Sequence, residues 1–263
     1  MPEARPIEGR KDNTATVIAI GLLAYASADV AHHVLGHGGA CLALGGRLVS
    51  LSSIFVDCTV RGTVVDLAGP FGNLIVGLAA LWGAMHTQVW KISADTVLFL
   101  ALAAGFNLLW FMMQLVFSVA TATDDFAWPM KEFQIGVPLR LCLIALGAVG
   151  YAVSIWCVAI SVAGLALPRV RLSRIMWVCW LSAGVFACVT AMLDHHPVAA
   201  IVRHAAPQSF ILAIGLLAVP AIPARPSAAV ASSIGFSARW IVAAAVTVAA
   251  SIVLLGPGFA ISV

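Results

Sequence analysis

Charge is what this sequence has least of. Of 263 residues, 14 are Lys or Arg and 11 are Asp or Glu, 10% together, against 62% hydrophobic, with a mean hydropathy of +1.05. Soluble domains carry about 25% charged residues, so the composition is that of a membrane protein. No stretch between the apolar runs is long or polar enough to fold as a separate globular domain. The basic residues are scattered in ones, twos and threes around a net charge of +3, which argues against a nucleic-acid partner. Cysteine is also sparse and badly placed for cross-linking. Cys41, Cys142, Cys157, Cys179 and Cys188 lie in apolar runs, only Cys58 lies in a connecting segment, and no CxxC pair occurs. A disulfide framework and a thiolate zinc site are both disfavoured. The apolar run after the polar residues 1–13 is too long for a signal-peptide core and lacks a clean small-residue cleavage site, so the first apolar segment is expected to be retained.

What is present is a series of apolar segments of spanning length, about 20 residues each, because lipid leaves helical backbone as the way to satisfy every amide. Seven are expected: Thr14 to Leu44, Thr63 to Ala84, Thr96 to Ala120, Pro138 to Leu167, Ile175 to Leu193, Ser209 to Ile222 and Trp240 to Leu255. The sixth is short and ends in the Pro220, Pro223, Pro226 series; if it is re-entrant, the C-terminal half inverts. The fold class is therefore all-α and polytopic. Residues 1–13 form a polar tail, 14–128 a core of three spans and 129–263 a helical bundle of about four. Alternation puts Arg5, Arg10, Lys11, Lys91, Arg169, Arg171, Arg174, Arg225 and Arg239 on the N-terminal side, against Arg47, Arg61, Lys131, Arg140 and Arg203 on the other. Nine against five predicts an integral, multi-pass protein with a cytoplasmic N-terminus. The segment from Gly45 to Gly62 alternates apolar and polar residues and reads as a strand or hairpin against the membrane domain. A loose loop is expected over Pro220 to Ala231. Trp110, Trp128, Trp156, Trp177, Trp180 and Trp240 read mostly as an aromatic belt or lipid-facing residues.

The first span carries Asp29, His32, His33 and His37 in SADVAHHVLGHGGACLALGG. Ionisable groups at membrane depth face a cavity, a partner or a metal. On an α-helix, residues four apart share a face, which stacks Asp29, His33 and His37 and lets His33 and His37 reach one zinc or other first-row metal, with Asp29 as a supporting group. The plainer alternative is that these histidines lie at the interface or bond to neighbouring helices. His195, His196 and His204 read as a solvated loop after the fifth span, able at most to cap or gate the site.

HHVLGHGGACLALGG, followed by DLAGPFGNLIVGL, resembles the site-2 protease family of intramembrane zinc metalloproteases, whose pattern is HExxH, a second helix with Gly-Pro and Asn, and a third helix bringing an Asp ligand. The resemblance covers roughly Ala24 to Trp128. It implies a three-helix metal core in which His33 and His37 are ligands and Gly69, Pro70 and Asn73 belong to the second helix. It also implies a third ligand after the third span, where Asp124 and Asp125 stand and Asp125 is favoured; both also fit plain loop charges. Three protein ligands with one open position is the arrangement of a catalytic zinc. The expected substrate is a membrane-embedded peptide or protein, with membrane lipids as surroundings and Asn73 and Asn107 as substrate contacts. Asn107 equally suits a polar link between helices.

The sequence departs from the family at one position. Anchored on His33 and His37, the family's Glu is replaced by Val34, which cannot take a proton. Anchored on His32, the Glu position holds His33, but His32 and His37 are then five apart, about 140° around an ideal helix. Three functions follow. The first is a metallohydrolase in which Asp66, Asp29 or His32 replaces the base. The second is an inactive pseudoprotease that binds metal and a membrane partner. The third, for which the HxxHH boxes are missing, is a histidine-box membrane oxygenase in which histidines of the first span join His195, His196 and His204 to hold a redox metal pair.

Overall fold

The computed structural model describes residues 11–86, 92–224 and 233–261. Arg5, Arg10, Lys91 and Arg225, most of the polar tail, and most of the Pro220 to Ala231 loop lie outside the described residues. The architecture is all-α with seven helices long and apolar enough to cross a membrane: Thr14–Ala43, Thr63–Met85, Ala94–Thr121, Val137–Ala163, Arg169–Ala191, Pro197–Ala221 and Ala238–Leu255. The protein is a multi-pass membrane protein.

The third span runs through the middle, packed on the first, second and fourth. Leu98, Leu102, Phe106, Leu109 and Trp110 are fully enclosed. Peripheral spans turn apolar side chains outward, as Trp156 and Trp177 do, which lipid accommodates at no cost. Trp110 departs from the aromatic-belt expectation because it stacks on an imidazole in the core.

The sixth span begins at Pro197, well before the expected Ser209. Arg203, His204 and Gln208 break its hydropathy yet stand within two π-helical stretches, Ile201–Ala205 and Pro207–Ile211. The expected loop around His204 is therefore helix. The crossing itself is fixed by a small sheet. β1 (Leu48–Leu51) and β2 (Val56–Cys58) form the expected hairpin between the first and second spans, and β3 (Phe259–Ile261) pairs antiparallel with β1 in the order β2-β1-β3. The segment after the seventh span thus lies on the same side as the first connection. An even number of crossings must separate them, so the sixth span crosses and is not re-entrant.

One expectation from cysteine placement fails. Cys41, at the end of the first span, is disulfide-bonded to Cys58 of β2. The hairpin folds back over the helix end, so a cysteine in an apolar run meets one 17 residues later. Ile54, Phe55 and Val56 of this tethered hairpin form one wall of a cavity of about 280 Å³ on the same side of the protein.

Candidate metal centre

The first span is not α-helical throughout. Residues Val30–Gly38 form a π-helix, whose wider i→i+5 winding brings residue i+5 much nearer the face of residue i than an α-helix does. This reverses the expected pairing. His32 and His37, five apart, converge, with Nε2 atoms 3.1 Å from each other. His33 is turned aside, and its Nδ1–H donates to Asp29 Oδ1 at 2.9 Å. The ligand set expected on α-helical spacing, His33 with His37, is therefore replaced by His32 with His37. His32, expected among the bases, stands instead where it could hold a metal with His37 and Asp125.

Asp125 closes the triangle from the turn after the third span. Its Oδ2 lies 3.1 Å from His32 Nε2 and its Oδ1 3.3 Å from His37 Nε2. The turn is sharp because Ala122 and Asp124 both adopt positive φ, 54° and 58°. It is pinned by Phe126 and Met130, which bury against Phe111, Leu115 and Val119 of the third span. Gln114 Nε2 donates to Asp125 Oδ2 at 2.7 Å.

The protons around this triangle are fixed by the neighbours. His37 Nδ1–H donates to the Val65 carbonyl at 2.7 Å, so its Nε2 is a lone pair. Asn73 Nδ2 faces the Ala28 carbonyl at 3.4 Å, which turns Asn73 Oδ1 toward His32 Nδ1 at 2.9 Å. His32 donates there, and its Nε2 is also a lone pair. Three electron-rich atoms therefore meet in a buried space. One proton could bridge one edge of the triangle and would leave the other edges unrelieved, whereas a central cation relieves all three. Two zinc–ligand bonds of about 2.0–2.1 Å at a tetrahedral angle set the donor atoms about 3.3 Å apart, close to the edges observed. His32, His37 and Asp125 fit a first-row metal ion.

Close backbone approach makes room for the group. A Cβ at Gly36 would stand 2.6 Å from Ala68 O, and one at Gly69 would overlap the His37 imidazole. Trp110 stacks on His32 with ring centroids 4.8 Å apart and planes inclined by 19°. Burial and the Asp125 charge push its neighbour Asp124 up to about 6.

The remaining expected residues separate into two groups. Asp66 lines the cavity beside the triangle, as do His33, Asp124, His204 and Gln208. Asp29 is buried behind His33. Asn73 and Asn107 are fully buried and do not line the cavity. Asn73 orients His32, and Asn107 Nδ2 bonds Ala103 O and reaches Ser27 Oγ of the first span. Neither faces the cavity: Asn73 stands behind His32, and Asn107 reaches the first span. His195 and His196 are exposed outside the cavity, so a second metal drawing on them is not assembled. The sequence reading missed His33 as a cavity residue, and it missed Gln114 and Gln208. A signal was available for Gln114, an amide within the expected third span, where polar groups are costly; Gln208 fell just outside the expected sixth span. Compared with protein-family models, curated proteins and solved structures, the chain matches none.

Proposed function

We propose that the protein is a membrane-embedded metallohydrolase of site-2 protease character, acting on a peptide in or near the bilayer. His32, His37 and Asp125 would hold a zinc ion. The observation that carries this reading is the convergence of two imidazole lone pairs and a carboxylate at 3.1–3.3 Å, each imidazole fixed from behind by a hydrogen bond from its Nδ1. A zinc ion bound there supplies Lewis-acid polarisation of water and of a substrate carbonyl.

The chain supplies the base. His33 directly follows the first ligand, the position at which the family carries glutamate, and the extra residue of the π-turn keeps that order while separating His32 and His37 by five. Its Nδ1–H is committed to Asp29, so Nε2 is the nitrogen free to take a proton from water in the cavity, and Asp29 stabilises the imidazolium that results. Asp66 and Asp124 line the same cavity as further proton-accepting groups. Ile54, Phe55 and Val56 wall the cavity on the hairpin side. A non-catalytic metal-binding role is the second reading, favoured by the missing glutamate.

The test separates the two. Metal content of the purified chain is measured first, and about one transition metal per chain is expected, absent in His37→Ala. Cleavage is then followed with a panel of quenched-fluorescent membrane-spanning peptides. His33→Ala that keeps its metal and loses turnover supports the hydrolase. A parent that binds metal and cleaves none of the panel supports the non-catalytic role, and a parent without bound metal overturns both.

A further inference from the structure

The side chains around the metal cavity offer many acceptors and few donors. Asp66, Asp124 and Asp125 present carboxylates to it, and His33 a bare Nε2. The N–H groups of three lining histidines are committed elsewhere: His32 Nδ1–H to Asn73, His37 Nδ1–H to the Val65 carbonyl and His33 Nδ1–H to Asp29. On the hairpin wall, the amides of Ile54 and Phe55 both donate to Ser52 Oγ. Two lining side chains with N–H groups remain, His204 and Gln208 of the sixth span. They stand four apart and line both this cavity and a chamber of about 220 Å³ beside it, so they share a face. Among the described residues, neither ring nitrogen of His204 nor Nε2 of Gln208 has a hydrogen-bond partner, and none of the three is sealed, whereas Gln208 Oε1 is. What these two residues present is therefore N–H, one from a neutral imidazole and two from the amide. Polar groups in a spanning segment are costly unless something uses them.

Peptide hydrolysis places negative charge on the carbonyl oxygen. Water oxygen bonds to the carbonyl carbon, its proton passes to His33 Nε2, and the carbonyl π pair moves onto oxygen. When the C–N bond breaks, that pair returns and the amine takes the proton from His33. Preorganised donors aimed at such an oxygen stabilise it strongly in a site that excludes water. From this we infer that His204 and Gln208 form a donor pair for the carbonyl oxygen of the bound peptide, an oxyanion hole carried by the sixth span. The inference deepens the peptide-hydrolase reading and rests on it.

Binding tests the pair apart from turnover. Two probes are titrated calorimetrically against the zinc-loaded full chain in detergent. A capped Leu-Leu phosphinic dipeptide carries a tetrahedral anion with one oxygen for the metal and another for the donors; isoamyl thiol meets the metal through sulfur and has no oxygen. His204→Phe and Gln208→Met keep bulk and remove N–H. Each should weaken the phosphinate about tenfold, the loss of one charge-assisted hydrogen bond, with thiol affinity within about threefold of the parent as the check on metal and fold. If either variant keeps the parent's phosphinate affinity, or if thiol affinity falls in step, the pair is overturned; a parent that binds neither probe removes it together with the metal reading. Cleavage of the peptide panel is scored separately, and each variant should lower kcat about 100-fold with KM within about threefold. A parent that cleaves nothing while its variants show the phosphinate-selective loss upholds the donors and removes the hydrolase reading. A parent that cleaves, with kcat unchanged in both variants, does the reverse.

Discussion

Replacing His32, His33 and His37 one at a time by alanine gives the sharpest test of the π-turn. On α-helical spacing His33 and His37 would share a metal and His32 would not; in the structure His32 and His37 converge, and His33 donates to Asp29. Structural zinc sites contribute roughly 10–16 kcal/mol over four ligands, so each ligand is worth about 3–4 kcal/mol, or two to three decades in affinity. His32→Ala and His37→Ala should each lose that much. His33→Ala removes no ligand and should stay within about threefold of the parent. Asn73→Ala, which frees His32 Nδ1 from its acceptor, belongs between them at about 10–100-fold. The assay is competition for zinc against a chromophoric chelator, in detergent, with circular dichroism to confirm retained helix. If His33→Ala loses metal as His37→Ala does while His32→Ala keeps it, the π-helical register is wrong and so is the choice of His33 as base.

Other consequences are independent of that register. Gly69→Ala should displace the His37 ring, which its Cβ would overlap, and weaken zinc binding at least tenfold in the same assay, by analogy with loss of an orienting contact. Ala122 sits at φ 54°, a conformation costing L-residues roughly 1–2 kcal/mol, so Ala122→Gly should raise thermal stability in detergent while zinc affinity is preserved; a fall in melting temperature would contradict the strain. Asp12 accepts from Arg171 Nη2 at 2.6 Å, Arg171 Nε at 3.1 Å and the Ile234 amide at 3.0 Å. Burial would raise its carboxyl, but these partners hold it below its ordinary value. Its stabilisation is then present above the unfolded carboxylate value of about 4 and lost as pH falls through the lower folded value. Asp12→Asn should cost about 1 kcal/mol at pH 7 and nothing once Asp12 is protonated, and an equal deficit at both pH values would refute the pairing. Finally, a disulfide persists in an oxidising compartment, and the positive-inside count puts the Cys41–Cys58 hairpin outside. A membrane-impermeant reductant added to intact cells should expose both thiols to alkylation, and protection until lysis would place the N-terminus outside instead.

The spans were legible because lipid imposes one requirement, length without charge, that averaging along the sequence detects. The sixth span shows where averaging stops working. Arg203, His204, Pro207 and Gln208 lower its hydropathy and suggest a loop, yet His204 and Gln208 line the cavities. A hydropathy window weighs every residue alike, whereas the membrane weighs only the outward face. The same limit explains Asn107 and Asn73. Their cost in an apolar helix signalled a role, but only packing decides whether such a group meets a substrate, Ser27 on a neighbouring helix, or the back of His32.

The candidate metal site shows a different limit. Asp125 stands where the order of the family pattern puts a carboxylate, after a third helix, so its position was readable without coordinates. The histidines were misassigned because face-sharing depends on helical pitch, and the α-helical value was assumed for a segment wound as a π-helix. The conflict was visible in the sequence itself: one anchoring gave the right spacing with Val34 at the base position, and the other gave a titratable His33 there with the wrong spacing. A single inserted residue absorbed by a wider turn resolves both, because it restores the common face for His32 and His37 and leaves His33 next to a ligand with Asp29 behind it. A motif that fails by one residue inside a helix is therefore better tested against a π-turn than discarded; on the hydrolase reading proposed above, the order of ligand and base would be kept while only the count between them changes.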